Sequence, residues 1–312
     1  MSSYNEMIPH MEYSDYDLHF WNAMRGKGES YNRLNKGKMP GTGTYAMAPK
    51  SNDKCMAALK QESLFRQIGT LKKAYRSACR IWTKVCDDIA AWIPDGGEIP
   101  IYDGMDDFTR KVVDSHKLAA FTKTDLDFVR DTDFDFEDYL IQALAKVMGR
   151  AEDNAFINGT GVDMPTGILA ASGGAEIGVT AAELTYDDVA NLFLSVKPEY
   201  RRKGIWLVND ETAIALRKLK DADGNNIWNH ANNTILGHKV MISEFMPNVA
   251  PGSKPVAFGD FSLYWLIART PVSIRPIVEM FADRDQIGHL AIEFMDGKLI
   301  RPDAVKVLKI AE

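Results

Sequence analysis

The feature that most constrains the fold is one long amphipathic pattern in the middle of the chain. Apolar residues recur there at three- and four-residue steps, the period of an α-helix with one apolar face: Phe136, Tyr139, Leu140, Ala143, Leu144, Val147, Ala151 and Ala155. Asp135 is placed to cap the start of this helix, and Asn158-Gly159 predicts a left-handed stop after it. The pattern predicts a helix over residues 136–157, which we call the spine helix, with a length of roughly 33 Å.

A second feature is a two-stranded pattern before the spine helix. Strand-forming residues fill 77–92 and 108–122, and Pro94-Asp95-Gly96-Gly97-Glu98 between them is a strong turn signal. Neither side of the predicted ribbon is cleanly apolar, and a lone two-stranded ribbon is only marginally stable in water. The ribbon is therefore either an ordinary hairpin packed on its own domain or one supported by another subunit, and the spacing favours neither.

Residues 1 to about 50 differ in composition from the rest and are rich in Tyr, Asn, Gly, Lys and Met. Their one compact apolar group is Leu18, Phe20, Trp21 and Met24, whose spacing suits a short helix. We interpret this segment as an arm that cannot bury its apolar group alone. A disordered terminus is the alternative.

Helices and strands alternate without a regular order after the spine helix. Helices are predicted at 186–196 and 211–220, and strands at 204–208, 239–242, 256–258, 273–278 and 304–310. Asp296-Gly297 is predicted to be a tight hairpin turn. This order favours an α+β fold over a regular parallel α/β fold.

The sequence offers no set of residues for chemistry. Its formal net charge of −6 argues against a protein that grips phosphate backbones. Cys55, Cys79 and Cys86 fit neither a zinc pattern nor a redox pair, and the six histidines lack metal-binding spacing. There is no nucleophile elbow or phosphate loop, and no apolar run is long enough to span a bilayer. We therefore expect no catalytic residue, metal site, cofactor or membrane partner, and an assembly protein instead of an enzyme.

An ordered set of motifs resembles the major capsid proteins of tailed bacteriophages, which have the Hong Kong 97-like fold. In that family a spine helix ends in a near-identical asparagine-glycine turn, often followed by Pro-Thr-Gly-Ile-Leu. The matching motifs are AWIPDGGEIP at 91–100, KLAAFTK at 117–123, DFDFEDYL at 133–140, AFINGTG at 155–161, PTGIL at 165–169, LKDADGN at 219–225, LGHKV at 236–240, FGDF at 258–261 and RPDA at 301–304. The resemblance covers roughly residues 44 to 310.

The resemblance implies a division of the chain into parts. Residues 1–75 would be an N-terminal arm, and 76–121 an extended loop, a β-hairpin that in the family lies across a neighbouring subunit. A peripheral domain would comprise 122–169 and 270–300, and an axial domain 170–269 and 301–312. Two groups of residues would serve assembly: the loop tip (Pro94, Asp95, Gly96, Gly97 and Glu98) and the end of the spine helix (Asn158, Gly159 and Gly161).

The implied function is structural. Many copies would form hexamers and pentamers of an icosahedral head that encloses double-stranded DNA without sequence-specific binding. Assembly would take place in the host cytoplasm, and the protein would end in the virion. Only about 45 residues precede the matching part, which is short for a self-sufficient scaffold, so a separate scaffolding protein and a portal are expected partners. The alternative is the shell protein of an encapsulin-type nanocompartment, which shares the fold but encloses enzymes.

Overall fold

The predicted spine helix is confirmed and spans Phe136–Asn158. The computed structural model describes residues 13–39, 41–73, 79–84, 108–131, 133–221 and 223–312. The Asp135 carboxylate accepts a hydrogen bond from the Asp138 N–H at 3.0 Å, as expected of the N-cap. The described α-helices are, in chain order, α1 (Tyr13–Met24), α2 (Tyr31–Leu34), α3 (Pro49–Glu62), α4 (Phe65–Ile68), α5 (Leu126–Arg130), α6, the spine helix (Phe136–Asn158), α7 (Tyr186–Ser195), α8 (Pro198–Arg201) and α9 (Asp210–Lys218).

The strands of the described chain form two mixed sheets and a ribbon. In chain order they are β1 (Tyr45–Ala46), β2 (Thr70–Lys73), β3 (Cys79–Lys84), β4 (Phe108–Val113), β5 (His116–Asp125), β6 (Glu176–Ala181), β7 (Ile205–Val208), β8 (Trp228–Asn229), β9 (Thr234–Ile235), β10 (His238–Ile242), β11 (Val256–Gly259), β12 (Tyr264–Ala268), β13 (Ser273–Ile277), β14 (Gln286–Leu299) and β15 (Val305–Ile310). The first sheet has the order β1-β13-β14-β12-β2, with β5 on the other side of β14, and the second has the order β6-β15-β11-β7-β10-β9-β8. Mixed sheets with separate helices confirm the predicted α+β class.

The three larger apolar clusters of the described residues hold these layers together. The spine helix packs Leu140 and Leu144 against Ile287 and Ala291 of β14. Helices α7 and α9 cover one face of the second sheet around Trp206. A third cluster lies at the end of the spine helix and includes residues of both sheets: Phe156, Leu207, Ala257, Tyr264, Met295 and Val307.

Residues 1 to about 50 were interpreted as an arm that cannot bury its apolar group alone, and in the described part that group is buried against other elements of the same chain. The predicted short helix is α1, and Phe20 and Met24 are fully buried against the chain's own spine helix and first sheet. The Tyr16 hydroxyl donates to the Ala46 carbonyl, and the Trp21 Nε1–H donates to Ser51 Oγ. Leu18 alone of the predicted apolar group points outward, at 61% exposure.

The predicted turn at Asp296-Gly297 is wrong, because β14 runs straight through it. A Cβ on Gly297 would lie 2.5 Å from the Tyr264 hydroxyl and 2.8 Å from the Phe156 ring. This glycine therefore lets an aromatic cluster approach the strand, which is the other common use of glycine in a sheet.

The two-stranded ribbon is confirmed in part. β3 and β4 pair antiparallel, from Cys79 opposite Val113 to Lys84 opposite Phe108. The second predicted stretch, however, divides at Asp114, and β5 joins the first sheet beside β14. The turn at Pro94–Glu98 lies outside the described residues.

The other predicted helices and strands after the spine helix agree with the structure to within two residues at each end. No helix of the described ranges combines the length and the apolar character that crossing a bilayer requires.

The burial of α1 predicts that the arm contributes to the stability of the isolated subunit. Phe20→Ala removes a fully buried ring, so we expect the free energy of unfolding in urea to fall by about 3–5 kcal/mol. Leu18→Ala on the same helix is the control, with an expected change within about 0.5 kcal/mol. Equal, small effects of both substitutions would show that α1 does not pack as described.

Candidate assembly site

A buried ion cluster joins three parts of the chain that are distant in sequence. Arg66 lies on α4, Glu152 on the spine helix and Glu293 on β14. The guanidinium donates to both Glu152 oxygens at 2.7 Å, from Nε and from Nη2, and Nη2 lies 3.1 Å from both oxygens of Glu293. We call these three residues the Arg66 cluster. It fixes α4 to the spine helix and to the central strand of the first sheet.

The charges of the Arg66 cluster do not balance. The three side chains are at most 3% exposed, and one guanidinium faces two carboxyl groups. Burial is the main reason that the pKa of Glu293 is raised; Arg66 lowers it and the neighbouring charge of Glu152 raises it, and the net result is a pKa of about 7. The Arg66 cluster therefore takes up or releases one proton, at Glu293, near neutral pH.

Asp153, the next residue on the spine helix, binds the same segment from a second direction. Its carboxylate accepts hydrogen bonds from Ser63 Oγ at 2.8 Å, from the Leu64 N–H at 2.7 Å and from the Phe65 N–H at 3.0 Å. These donors stand at the start of α4, which has no carboxylate cap of its own. Burial is the main reason that the pKa of Asp153 is raised, although the three hydrogen bonds lower it.

The predicted assembly residues at the end of the spine helix lie where the chain reverses direction. Asn158 is the last helical residue, and its Nδ2 donates to the Phe245 carbonyl at 2.9 Å. The predicted left-handed stop at Gly159 is wrong, because Gly159 has a φ of −61°. Its role is close approach: a Cβ there would lie 2.2 Å from the Pro165 carbonyl oxygen and 2.3 Å from that of Ala155. Gly161, two residues later, is left-handed, with a φ of +82°.

This reversal connects the spine helix to the first sheet. After Gly161 the chain folds back, so that the Ile168 N–H donates to the Phe156 carbonyl at 2.8 Å. The Thr166 N–H donates to the Gly297 carbonyl at 3.0 Å, and the Tyr264 hydroxyl donates to the Thr166 carbonyl at 2.8 Å. The end of the spine helix is therefore a fixed junction.

The ribbon of β3 and β4 leaves the first sheet beside a second group of charges. Asp296 is fully buried, and its carboxylate accepts from the Asp114 N–H at 3.0 Å and from the Gly297 N–H at 2.8 Å. His116 Nε2 lies 3.6 Å from it and Lys298 Nζ 3.4 Å. Burial raises the pKa of Asp296, while the Lys298 charge lowers it. The group anchors the root of the ribbon to β14.

Asp114, His116 and Asp296 also have the residue types of a metal site, since their possible ligand atoms lie within 4.8 Å of one another. Lys298 Nζ, however, lies 3.4 Å from Asp296 and 3.6 Å from Asp114. The ammonium group already supplies a positive charge to both carboxylates, so we assign this group as an ion-pair cluster.

The structure places the predicted assembly residues unequally. Asn158, Gly159 and Gly161 are together at one junction, whereas the loop tip at Pro94–Glu98 lies outside the described residues. The sequence reasoning missed Arg66, Glu152 and Glu293. A signal for the two glutamates exists: Glu152 follows Met148 and precedes Phe156 at four-residue steps, and Glu293 alternates with Ala291 and Met295, so both stand on apolar faces.

Comparison with solved structures defines the class of protein. The capsid of an empty GTA particle, computed with C5 symmetry, matches with a TM-score of 0.67 and 28% identity over 80% of this chain and 90% of that chain. The Microbacterium phage Oxtober96 structure matches at 0.58 with 17% identity and the Mycobacterium phage Bobi structure at 0.57 with 13% identity, each over 80% of this chain and 91% of the other. The last two show a shared fold. The architecture is that of a capsid subunit.

The family follows from the sequence itself. The model of the phage capsid family matches residues 43–310, which is most of the chain. The chain belongs to the phage capsid family, as the resemblance implied, and is a structural protein of the major capsid protein type. No curated protein sequence matches it.

The buried position of the Arg66 cluster predicts a large effect of removing its only cation. Arg66→Met leaves two carboxyl groups buried without a guanidinium, so we expect the free energy of unfolding at pH 7 to fall by about 3–5 kcal/mol. Arg150→Met is the matched control, because the Arg150–Glu244 pair is more than half exposed and its loss should cost at most about 1 kcal/mol. Urea titrations of both variants make the comparison, and similar losses in the two would contradict the assigned role.

The raised pKa of Glu293 predicts a pH dependence with a definite sign. A carboxyl group whose folded-state pKa is about 7 stabilises the fold fully below its ordinary pKa, and this stabilisation is lost as the pH rises through about 7. Glu293→Gln keeps a neutral group in the cluster, so the fall in the free energy of unfolding between pH 5 and 8 should become less steep, by up to about 1.4 kcal/mol per pH unit. Glu244→Gln, an exposed carboxylate, should leave the profile unchanged. Parallel profiles of the Glu293→Gln and unmodified proteins would count against a proton held at Glu293.

Proposed function

We propose that this major capsid protein assembles as hexamers and pentamers into an icosahedral phage head that encloses double-stranded DNA. The observation that carries the proposal is the match with the GTA particle capsid, which covers 80% of this chain. The structure of that capsid was computed with five-fold symmetry. A subunit whose relative occupies a particle of that symmetry is suited to closed shells of repeated copies.

The proposed division into parts follows the resemblance. Residues 1–75 form the arm, 76–121 the extended loop, 122–169 with 270–300 the peripheral domain, and 170–269 with 301–312 the axial domain. The two described sheets support the last two parts, since β14 lies in one and β15 in the other. β5 crosses the proposed boundary at residue 121, because it continues to Asp125.

The extended loop is proposed to contact a neighbouring subunit through Pro94, Asp95, Gly96, Gly97 and Glu98. Support comes from the described part of the ribbon, where β3 and β4 pair only with each other. A ribbon of this kind has two free backbone edges and gains stability from a further surface. Its root at Asp296 is fixed, so the ribbon has a defined direction where it leaves the sheet.

The end of the spine helix is proposed to serve assembly through Asn158, Gly159 and Gly161. The hydrogen bonds of Ile168 and Thr166 support this role, since they fix the position of the helix end relative to β14. An exposed loop follows it, with Val162 at 69% and Met164 at 42% exposure. Apolar residues presented on a fixed loop are available for contact with another copy.

The proposed partners are other copies of the chain, a scaffolding protein and a portal, with assembly in the host cytoplasm and the virion as the final location. The net charge of −6 supports enclosure of DNA by confinement instead of tight binding. The encapsulin-type shell remains the alternative and is distinguished by what the particle contains.

Electron microscopy and light scattering of the purified protein test the proposal. We expect closed shells, or free hexamers and pentamers that close when the scaffolding protein encoded beside the gene is added. Particles from the native source should protect DNA from nuclease. A monomer or dimer that persists with the scaffolding protein would overturn the shell assignment, and shells that contain a folded enzyme and no DNA would establish the encapsulin alternative.

A further inference from the structure

The ten-residue strand β5 is an edge of the first sheet. It pairs with β14 along its whole length, from His116 opposite Met295 to Asp125 opposite Gln286. In the described part of the chain no strand pairs with its other side. An edge of this length presents a row of backbone N–H and C=O groups that another strand can pair with.

One face of this edge strand is exposed. Lys117, Ala119, Phe121, Lys123 and Asp125 alternate along it and are all exposed. Phe121 is 44% exposed although its ring lies 5.7 Å, centroid to centroid, from the ring of Phe281. The exposed face therefore has an aromatic centre with charged residues on both sides.

The order of these residues is self-complementary. If two copies of β5 run antiparallel about a two-fold axis at Phe121, the residue numbers of each opposed pair sum to 242. Phe121 then stands opposite Phe121 of the second copy, and Lys117 stands opposite Asp125 in both halves of the pair. A register centred on residue 120 would oppose Lys117 and Lys123, which have like charges, and such pairs are destabilising. Of the registers centred on residues 120, 121 and 122, the one at Phe121 is the one that places Lys117 opposite Asp125.

We propose that two copies of this chain pair edge to edge through β5, about a two-fold axis at Phe121, and so join their first sheets into one continuous sheet. The interface is isologous, since each copy contributes the same residues. This inference rests on the proposed function, because a closed shell needs contacts that relate its copies by symmetry. It adds to that function a particular strand, register and charge pair.

Lysines on an edge strand also prevent unwanted pairing, and this is the competing explanation of Lys117 and Lys123. It accounts for the two lysines alone. It does not explain why Lys117 and Asp125 lie at equal distances along the strand from Phe121, as the two-fold register requires. It also does not explain why Phe121, at the centre of that register, is exposed.

A cysteine on the axis tests the geometry directly. Opposite residues of antiparallel strands have Cα atoms about 4.5–5.5 Å apart, which lies within the range that a disulfide spans. Phe121→Cys should therefore give covalent dimers on a non-reducing gel after mild oxidation of assembled protein. Lys123→Cys is the matched control: its two copies would stand four residues apart, roughly 13 Å, and should stay uncoupled. The unmodified protein sets the background from Cys55, Cys79 and Cys86.

Charge variants test the register through assembly. Lys117→Glu and Asp125→Lys each place like charges opposite one another twice, and each should raise the protein concentration needed for assembly at low salt. An equimolar mixture of the two variants restores opposite charges in mixed pairs, so it should assemble at nearly the concentration of the unmodified protein. Lys123→Glu, which faces Ala119 in this register, should have the smaller effect.

The two readouts separate this inference from the proposed function. Shells seen by microscopy with no dimer of Phe121→Cys, or with an equal dimer of Lys123→Cys, would overturn the β5 pairing and leave the capsid function in place. Failure of the mixed charge variants to recover would overturn the register. Covalent dimers of Phe121→Cys in a protein that forms no shell would support the strand pairing and contradict the capsid function.

Discussion

Arg66 is the point at which α4, the spine helix and the first sheet meet. Its guanidinium stands between carboxyl groups of Glu152 and Glu293, residues separated by 86 and 227 positions from it in the chain. A cation with five fixed donors can satisfy two carboxyl groups only in a narrow range of geometries. The cluster therefore fixes the relative positions of α4, the spine helix and β14 more closely than apolar packing would. Asp153 adds a second restraint on the same segment.

β14 is held in different ways at two positions that lie three residues apart, Glu293 and Asp296. At Glu293 the strand is fixed to the spine helix through the Arg66 cluster, and at Asp296 it is fixed to the root of the ribbon through the Asp114 N–H and Lys298. Between them the side chains alternate, so Glu293 points to the spine helix and Asp296 to the opposite face. β14 therefore fixes the root of the ribbon relative to the spine helix. A fixed root gives the ribbon a defined direction, which suits a subunit whose ribbon is proposed to contact a neighbour.

Sequence reasoning succeeded where a pattern is local and repeated. Local patterns predict the spine helix, its cap at Asp135 and most of the later strands, because each of these patterns lies within one short stretch of the sequence. It failed where the answer depends on partners distant in sequence. Gly297 was interpreted as a turn because Asp-Gly is a turn signal, whereas the aromatic rings of Phe156 and Tyr264 are what require a glycine there. The sequence of residues 1 to about 50 does not show that the spine helix supplies the core against which α1 packs. The partners of Arg66 could not be assigned because each lies on a different element.

The buried charges also explain how β14 keeps its register. Ile287, Ala291 and Met295 are apolar side chains of β14 that face inward. Because side chains along a strand alternate with a period of two, these residues would still face inward if β14 shifted by two residues relative to its neighbours. Such a shift would move Glu293 by roughly 7 Å along the strand, away from Arg66, and would leave buried charges unpaired on both sides, which is strongly destabilising. Apolar burial therefore selects the face of β14, and the Arg66 cluster selects its register. The same register sets the alignment of β5, which is paired to β14 over ten residues, and so determines the position of Phe121 on the outer strand of the described sheet.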